Sequence, residues 1–259
     1  MTTTQTSSSP RIALITGGSR GLGKSMALSL ASHGVGSIIT FRNEEAEAAK
    51  VVAAVAERGA RAVALRLDVA ESASFGAFAN EVRGALGRVW QREQFDYLVN
   101  NAGHGAHAAF AETTEAQFDA LVKVHLKAPF FLTQTLLPLI ADGGRVLNVS
   151  SGLARFAYPG YAAYATMKGG VEVLTRYQAK ELGARKISVN VLAPGAIETD
   201  FGGGAVRDNQ QLNAMIASQT ALGRVGLPDD IGGAVAALLS PEAHWITGQR
   251  IEASGGQGI

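Results

Sequence analysis

The segment YAAYATMK sets Tyr164 and Lys168 four residues apart, which on a helix is about one turn along a single face. A phenol with its ordinary pKa near 10 is a weak acid or base at neutral pH. An ammonium one turn away favours the phenolate and draws that pKa down. Tyr164 thereby becomes a usable general acid or base. Thirteen residues earlier, Ser151 closes the apolar run RVLNVSS. A hydroxyl at the end of such a strand could donate to a substrate carbonyl oxygen and stabilise the charge developing on it. Each residue alone is common in proteins. Together they gain weight from a glycine-rich loop far upstream.

That loop is TGGSRGLG, Thr16 to Gly23, set between the apolar run RIALIT and the helical pattern KSMALSLASHG. Gly17, Gly21 and Gly23 would allow a tight turn, close backbone approach to a pyrophosphate, and close packing of helix on sheet. The spacing is Gly-x-x-x-Gly-x-Gly, and its place between strand and helix predicts a dinucleotide site that also includes Thr16, Ser19, Arg20 and Leu22. The end of the second strand, TFRN, carries Phe41 where an acid would grip the adenosine ribose of NAD. Arg42 and Asn43 follow, and Arg20 precedes Gly21. Two guanidiniums near one ribose suit a 2′-phosphate, so the expected cofactor is NADP(H); two solvated surface arginines are the alternative. Asp68, followed by Val69 in LDV, could accept from the adenine amino group or cap a helix, and the residues alone leave both open.

The elements that must carry these groups alternate along the chain. Apolar runs at 11–16, 37–41, 62–67, 97–101, 145–150 and 187–193 are separated by helical patterns such as EEAEAAKVVAAVAERG. Strands apolar along their whole length are buried on both faces, as in a parallel sheet between helices. The expected fold is α/β: a single-domain, doubly wound parallel sheet, Rossmann-like, with helices on both faces. The domain spans 11–259, after a hydroxyl-rich stretch at 1–10 expected to be a disordered tail. GALGRVWQREQ (84–94) reads as a surface elaboration, and 200–227, beginning near the triplet at 202–204, as a glycine-hinged substrate lid containing a short helix.

The composition narrows the function further. A formal charge of +1 with scattered Lys and Arg argues against a nucleic-acid partner. No apolar stretch approaches the roughly 18 to 20 residues of a membrane span, and a cytoplasmic location is expected. Without cysteine there are no thiolate metal sites. His104 and His107 are expected to border a substrate cleft and not to bind metal.

TGGSRGLG, NNAG (100–103), NVSSG (148–152), YATMK (164–168) and VNVLAPGAIETD (189–200) together resemble the ordered motifs of the short-chain dehydrogenase/reductase family. The resemblance runs from about residue 11 to the closing WITGQRIEASGG. It implies hydride transfer between C4 of a nicotinamide and a carbonyl or alcohol carbon. Tyr164 would be the acid or base and Ser151 would orient the oxygen. Lys168 would bind the nicotinamide ribose and, with the oxidised nicotinamide, lower the pKa of Tyr164. Asn101, Ala102 and Gly103 would line the cofactor and support the sheet. Pro194, Gly195, Ile197 and Thr199 would flank the nicotinamide.

One residue departs from the family pattern. In LVKVHLKAPFF, His125 stands where the family usually has an asparagine that helps hold a water of the proton relay. Histidine also hydrogen-bonds water, so the relay would persist with a different pH response; the alternative is a satisfied core histidine. The resemblance further implies a homotetramer or homodimer built largely on the helices at about 115–136 and 162–183 and on the C-terminal strand; LVKVHLKAPFFLTQTLLPLI looks apolar on more than one face.

The expected activity is an NADP(H)-dependent ketone reductase or alcohol dehydrogenase acting on a small carbonyl or alcohol substrate. GLARFAYPGY after Ser151 offers walls for a mainly apolar carbonyl. A 3-oxoacyl-thioester (acyl carrier protein) reductase is an alternative within the family. A non-catalytic cofactor-sensing regulator is an alternative of another kind, but it would be expected to lack one of the three reactive groups.

Overall fold

The structure is a computed structural model that describes residues 10–259. The expectation of a tail at 1–10 falls, up to residue 9, outside the described residues. Seven parallel strands form one sheet in the order β3-β2-β1-β4-β5-β6-β7. They are β1 (Ile12–Ile15), β2 (Gly36–Phe41), β3 (Ala62–Arg66), β4 (Phe95–Asn100), β5 (Ile140–Val149), β6 (Ser188–Pro194) and β7 (Arg250–Ala253). The order reverses at β1, whose neighbours are β2 and β4. That reversal opens a crevice at the carboxyl ends, where open α/β sheets bind ligands.

Alternation along β1 explains the two layers. Ala13 and Ile15 enter a core with Met26, Leu30, Val51, Val55, Ile231 and Val235. These belong to α1 (Gly21–Ala31), α2 (Glu45–Ala56) and α9 (Pro228–Leu239). Ile12 and Leu14 point the other way, into a core with Phe75, Phe78, Val82, Leu132 and Leu136. That face is covered by α3 (Phe75–Trp90), α5 (Ala128–Leu136) and α6 (Ala162–Leu182). The central strands β1, β2 and β6 are buried throughout, while the edge strands β3 and β7 are only half-buried, because each has a strand on one side alone.

Two expectations change. Residues 84–90 are the last turns of α3, with Ala85, Leu86 and Trp90 buried, so they are core and not a surface elaboration. The expected helix at 115–136 is interrupted: α4 (Glu115–Val122) passes through a π-helical turn, Lys123–Lys127, into α5. Such π turns are frequent at functional sites, and this one carries His125. The 200–227 segment holds two short helices, α7 (Ala205–Asp208) and α8 (Gln210–Ser218). Among the described residues no helix is long and apolar enough to cross a membrane.

Candidate active site

The glycine loop is built as its spacing predicts. Gly17 and Gly21 have φ of +67° and +53°, a region that side chains disfavour. Gly23 serves packing: a Cβ there would lie 2.2 Å from the Gly17 carbonyl oxygen and 2.8 Å from Asn101 Nδ2. Asn101 donates to the carbonyls of Thr16 and Gly17 at 2.8 and 3.2 Å. The Thr16 hydroxyl accepts from the Asn101 and Ala102 amides at 3.0 and 2.9 Å. Thr16 is buried, so it braces the loop from behind, as Asn101 does.

What the loop presents fits a dinucleotide carrying an extra phosphate. The first turn of α1 contains no acid, which leaves its amides and positive dipole end unopposed. Arg20 and Arg42 are exposed, and among the described residues neither guanidinium has a hydrogen-bonded or ionic partner. Asn43, next to Arg42 in the chain, is exposed, Ser19 is buried within the turn and Leu22 packs on the core. Asp68 Oδ1 accepts from the Ala70 amide at 3.0 Å, a local turn contact that commits one of its oxygens. Across the crevice, Thr199 approaches Gly21, where a Cβ would lie 3.8 Å from its side chain. The turn from Pro194 to Thr199 thus faces the glycine loop. Gly195 is held by the Ala253 carbonyl, and Ile197 pairs with Gly226.

Ser151 stands two residues past the end of β5, extended, with its oxygen accepting from the Leu153 amide at 3.2 Å. That contact leaves its hydroxyl hydrogen free to donate. Tyr164 and Lys168 share a face of α6, and both are buried. Lys168 Nζ donates to the Val149 carbonyl at 2.8 Å and lies 5.5 Å from the Tyr164 ring centre. Burial pushes the Tyr164 phenol above its ordinary range, opposed by the Ser151 hydroxyl. Burial lowers Lys168 to about 8. The protein alone therefore does not draw the phenol down, because desolvation of the phenolate outweighs the Ser151 hydrogen bond.

His125 is fixed from one side. Its Nε2 lies 2.8 Å from the His104 carbonyl, which makes Nε2 the protonated nitrogen and Nδ1 an acceptor. Nδ1 is buried and has no partner among the described residues. Burial and the Lys168 charge hold the ring neutral, with a pKa of about 2. A different pH response cannot then arise from titration of His125 itself at ordinary pH. His125, Lys168, Thr16, Val69, Asn100 and Ala102 line a cavity of about 20 Å³, room for one water.

The aromatic surroundings of Tyr164 could not be read from the sequence. His125 meets its ring edge-on at 5.3 Å, and Phe201 meets it from elsewhere at 5.9 Å. A larger cavity of about 390 Å³ lies beside Leu153, lined also by His107, Phe110, Tyr158, Pro159 and Tyr161. His107 packs on Tyr161, while His104 lies over His125. Gln257 is a further unforeseen residue: its buried Oε1 accepts from the Ala196 amide at 2.9 Å, bracing the turn after β6. Only the folded chain brings these two segments together.

Residues 17–257 match the family described as enoyl-(acyl carrier protein) reductase. This chain belongs to the short-chain dehydrogenase/reductase family. A hydroxynaphthalene reductase-like protein of Metarhizium brunneum is 33% identical over 257 residues, covering 95% of this chain and 94% of its own. Among solved structures, the promiscuous reductase LugOII of lugdunomycin biosynthesis, which performs keto-reduction at C1, superposes with a TM-score of 0.91. It is 35% identical, over 96% of this chain and 98% of its own. The landomycin C-6 ketoreductase LanV, solved with NADP and rabelomycin, gives a TM-score of 0.87 at 35% identity, over 96% of each chain. The two solved reductases share the Rossmann-like fold described above.

Proposed function

We propose that this enzyme is an NADPH-dependent reductase of neutral, mainly apolar ketones, with oxidation of the corresponding alcohols as the reverse reaction. The observation that carries the proposal is the convergence of Ser151, Tyr164 and Lys168 at the carboxyl end of the sheet, beside the β1 crevice. The partner-free Arg20 and Arg42 support NADP over NAD, since a 2′-phosphate gives both guanidiniums a bidentate ligand. The NADP held by LanV is consistent with this choice. No Asp, Glu, Lys or Arg lines the 390 Å³ cavity, which favours an uncharged substrate.

When bound, the nicotinamide supplies a hydride to the carbonyl carbon. Ser151 donates its free hydrogen to the carbonyl oxygen and holds it in place. Tyr164 delivers a proton to that oxygen as it becomes an alcohol, and its burial keeps the proton in readiness. Lys168 spends one of three donors on Val149 and would offer the others to the nicotinamide ribose. The small cavity between Lys168 and His125 has room for one water, which would donate to His125 Nδ1. The exposed Phe118, Phe130 and Phe131 on α4 and α5, with Val173 and Tyr177 on α6, support association into a homodimer or homotetramer through these helices.

The test follows nicotinamide absorbance with NADPH and NADH in parallel, against free ketones and 3-oxoacyl thioesters. Turnover of free ketones with NADPH, lost in Tyr164→Phe, is the expected result. Turnover of thioesters alone would replace the ketone reading, and cofactor binding without any turnover would overturn both. Light scattering that finds a monomer at micromolar concentration would remove the oligomer.

A further inference from the structure

Tyr164 is only 6% exposed, so the groups packed on its ring decide what can approach its hydroxyl. One of them, Phe201, is itself 45% exposed and lies 5.9 Å from the Tyr164 ring at a tilt of 59°. Its other neighbour is Gly105, where a Cβ would come within 2.9 Å of the Phe201 ring. The missing side chain at 105 is what lets this ring lie beside the catalytic phenol. Phe201 also follows closely on Thr199, whose hydroxyl oxygen accepts from the Phe201 amide at 3.2 Å. The segment that reaches the glycine loop therefore also carries the ring.

The three residues after Phe201 set the backbone path that carries the ring. Gly202, Gly203 and Gly204 have φ of +64°, +74° and +79°, a left-handed run that only glycine adopts readily. A Cβ on Gly202 or Gly203 would meet nothing within 4 Å. Those two glycines are thus required by the backbone path and not by packing. Arg207, paired with Asp200 and Asp208, anchors the outer end of this turn at the surface.

We propose that Phe201 is a specificity-determining residue whose ring stacks on the flat ring of an aryl or fused-ring ketone as its carbonyl reaches Ser151 and Tyr164. The inference rests on the ketone-reductase reading and names its substrate class. A flat ring gains both apolar contact and an aromatic pair from Phe201, whereas a saturated ring of the same carbon skeleton gains the contact alone. The 390 Å³ cavity beside Leu153 is aromatic too, with Phe110, Tyr158 and Tyr161 in its lining.

The experiment compares two ligands by calorimetry in the NADPH complex, where neither alcohol can be oxidised: 2-naphthol, which is flat, and decahydro-2-naphthol, its saturated counterpart. Wild type is expected to bind 2-naphthol the more tightly. Phe201→Leu, which keeps apolar bulk and removes the π face, is expected to weaken 2-naphthol about two- to tenfold and decahydro-2-naphthol less than about twofold. Phe201→Trp is expected to restore the difference. Equal weakening of both ligands, no weakening, or equal wild-type affinity for the two would overturn the proposal. Failure of wild type to take up NADPH would overturn the cofactor reading instead, and the two ligands would then be compared on the cofactor-free protein, against the same Phe201 wall.

Discussion

Replacing His125 with asparagine removes a group whose protonation opposes folding. His125 is 2% exposed, and burial with the nearby Lys168 charge holds its pKa at about 2, against an ordinary value of 6.5. Between those values the unfolded chain binds a proton that the native protein refuses. The native state therefore keeps its full stability above the unfolded pKa and loses it as pH falls below, by about 1.4 kcal/mol per pH unit. From about pH 6.5 to about pH 5 the loss is about 2 kcal/mol, which requires only that the native pKa lie below 5. The other histidines are common to both proteins and cancel in the difference. Urea unfolding at fixed protomer concentration, repeated across this pH range, should show wild type losing about 2 kcal/mol more than His125→Asn. In thermal scans the same difference is about 4 to 8 °C. Parallel pH dependences in the two proteins would refute the buried, neutral imidazole.

Three further outcomes follow from the same geometry. Tyr164→Phe should lower kcat by about 100-fold or more while NADPH affinity by fluorescence titration stays near that of wild type; retained turnover would remove the phenol from the chemistry. Arg42→Ala should weaken NADPH about tenfold or more, the worth of a charge-assisted hydrogen bond, and leave NADH little changed; equal effects on both would detach Arg42 from the 2′-phosphate. Gly23→Ala, whose Cβ would fall 2.2 Å from the Gly17 carbonyl, should abolish measurable binding of either dinucleotide in the same titration. Normal binding would show that the loop shifts without cost.

Much of this architecture was legible because local pattern and tertiary role agree. The apolar runs became strands, the glycine spacing became a turn with left-handed residues, and the Tyr164–Lys168 spacing became one helix face. The segment at 84–90 misled because its burial depends on the sheet it packs against: Leu86 and Trp90 are buried and hold the last turns of the helix. The π turn around His125 leaves no periodicity signal over so few residues. The proton state of His125 was equally hidden, since it depends on Lys168 and the His104 carbonyl from other elements. Gln257 and Phe201 act across contacts that only the folded chain makes, on Ala196 in one case and Tyr164 in the other.

The central claim is that this site moves a hydride directly from the nicotinamide to a ketone carbon while Tyr164 protonates the oxygen. NADPH carrying deuterium at C4, one diastereomer at a time, should be supplied with a fused-ring aryl ketone and the alcohol product weighed by mass spectrometry. The account predicts one deuterium at the carbinol carbon from one diastereomer only, formed about 100-fold or more slowly with Tyr164→Phe. Alcohol formed without deuterium from either diastereomer would contradict it.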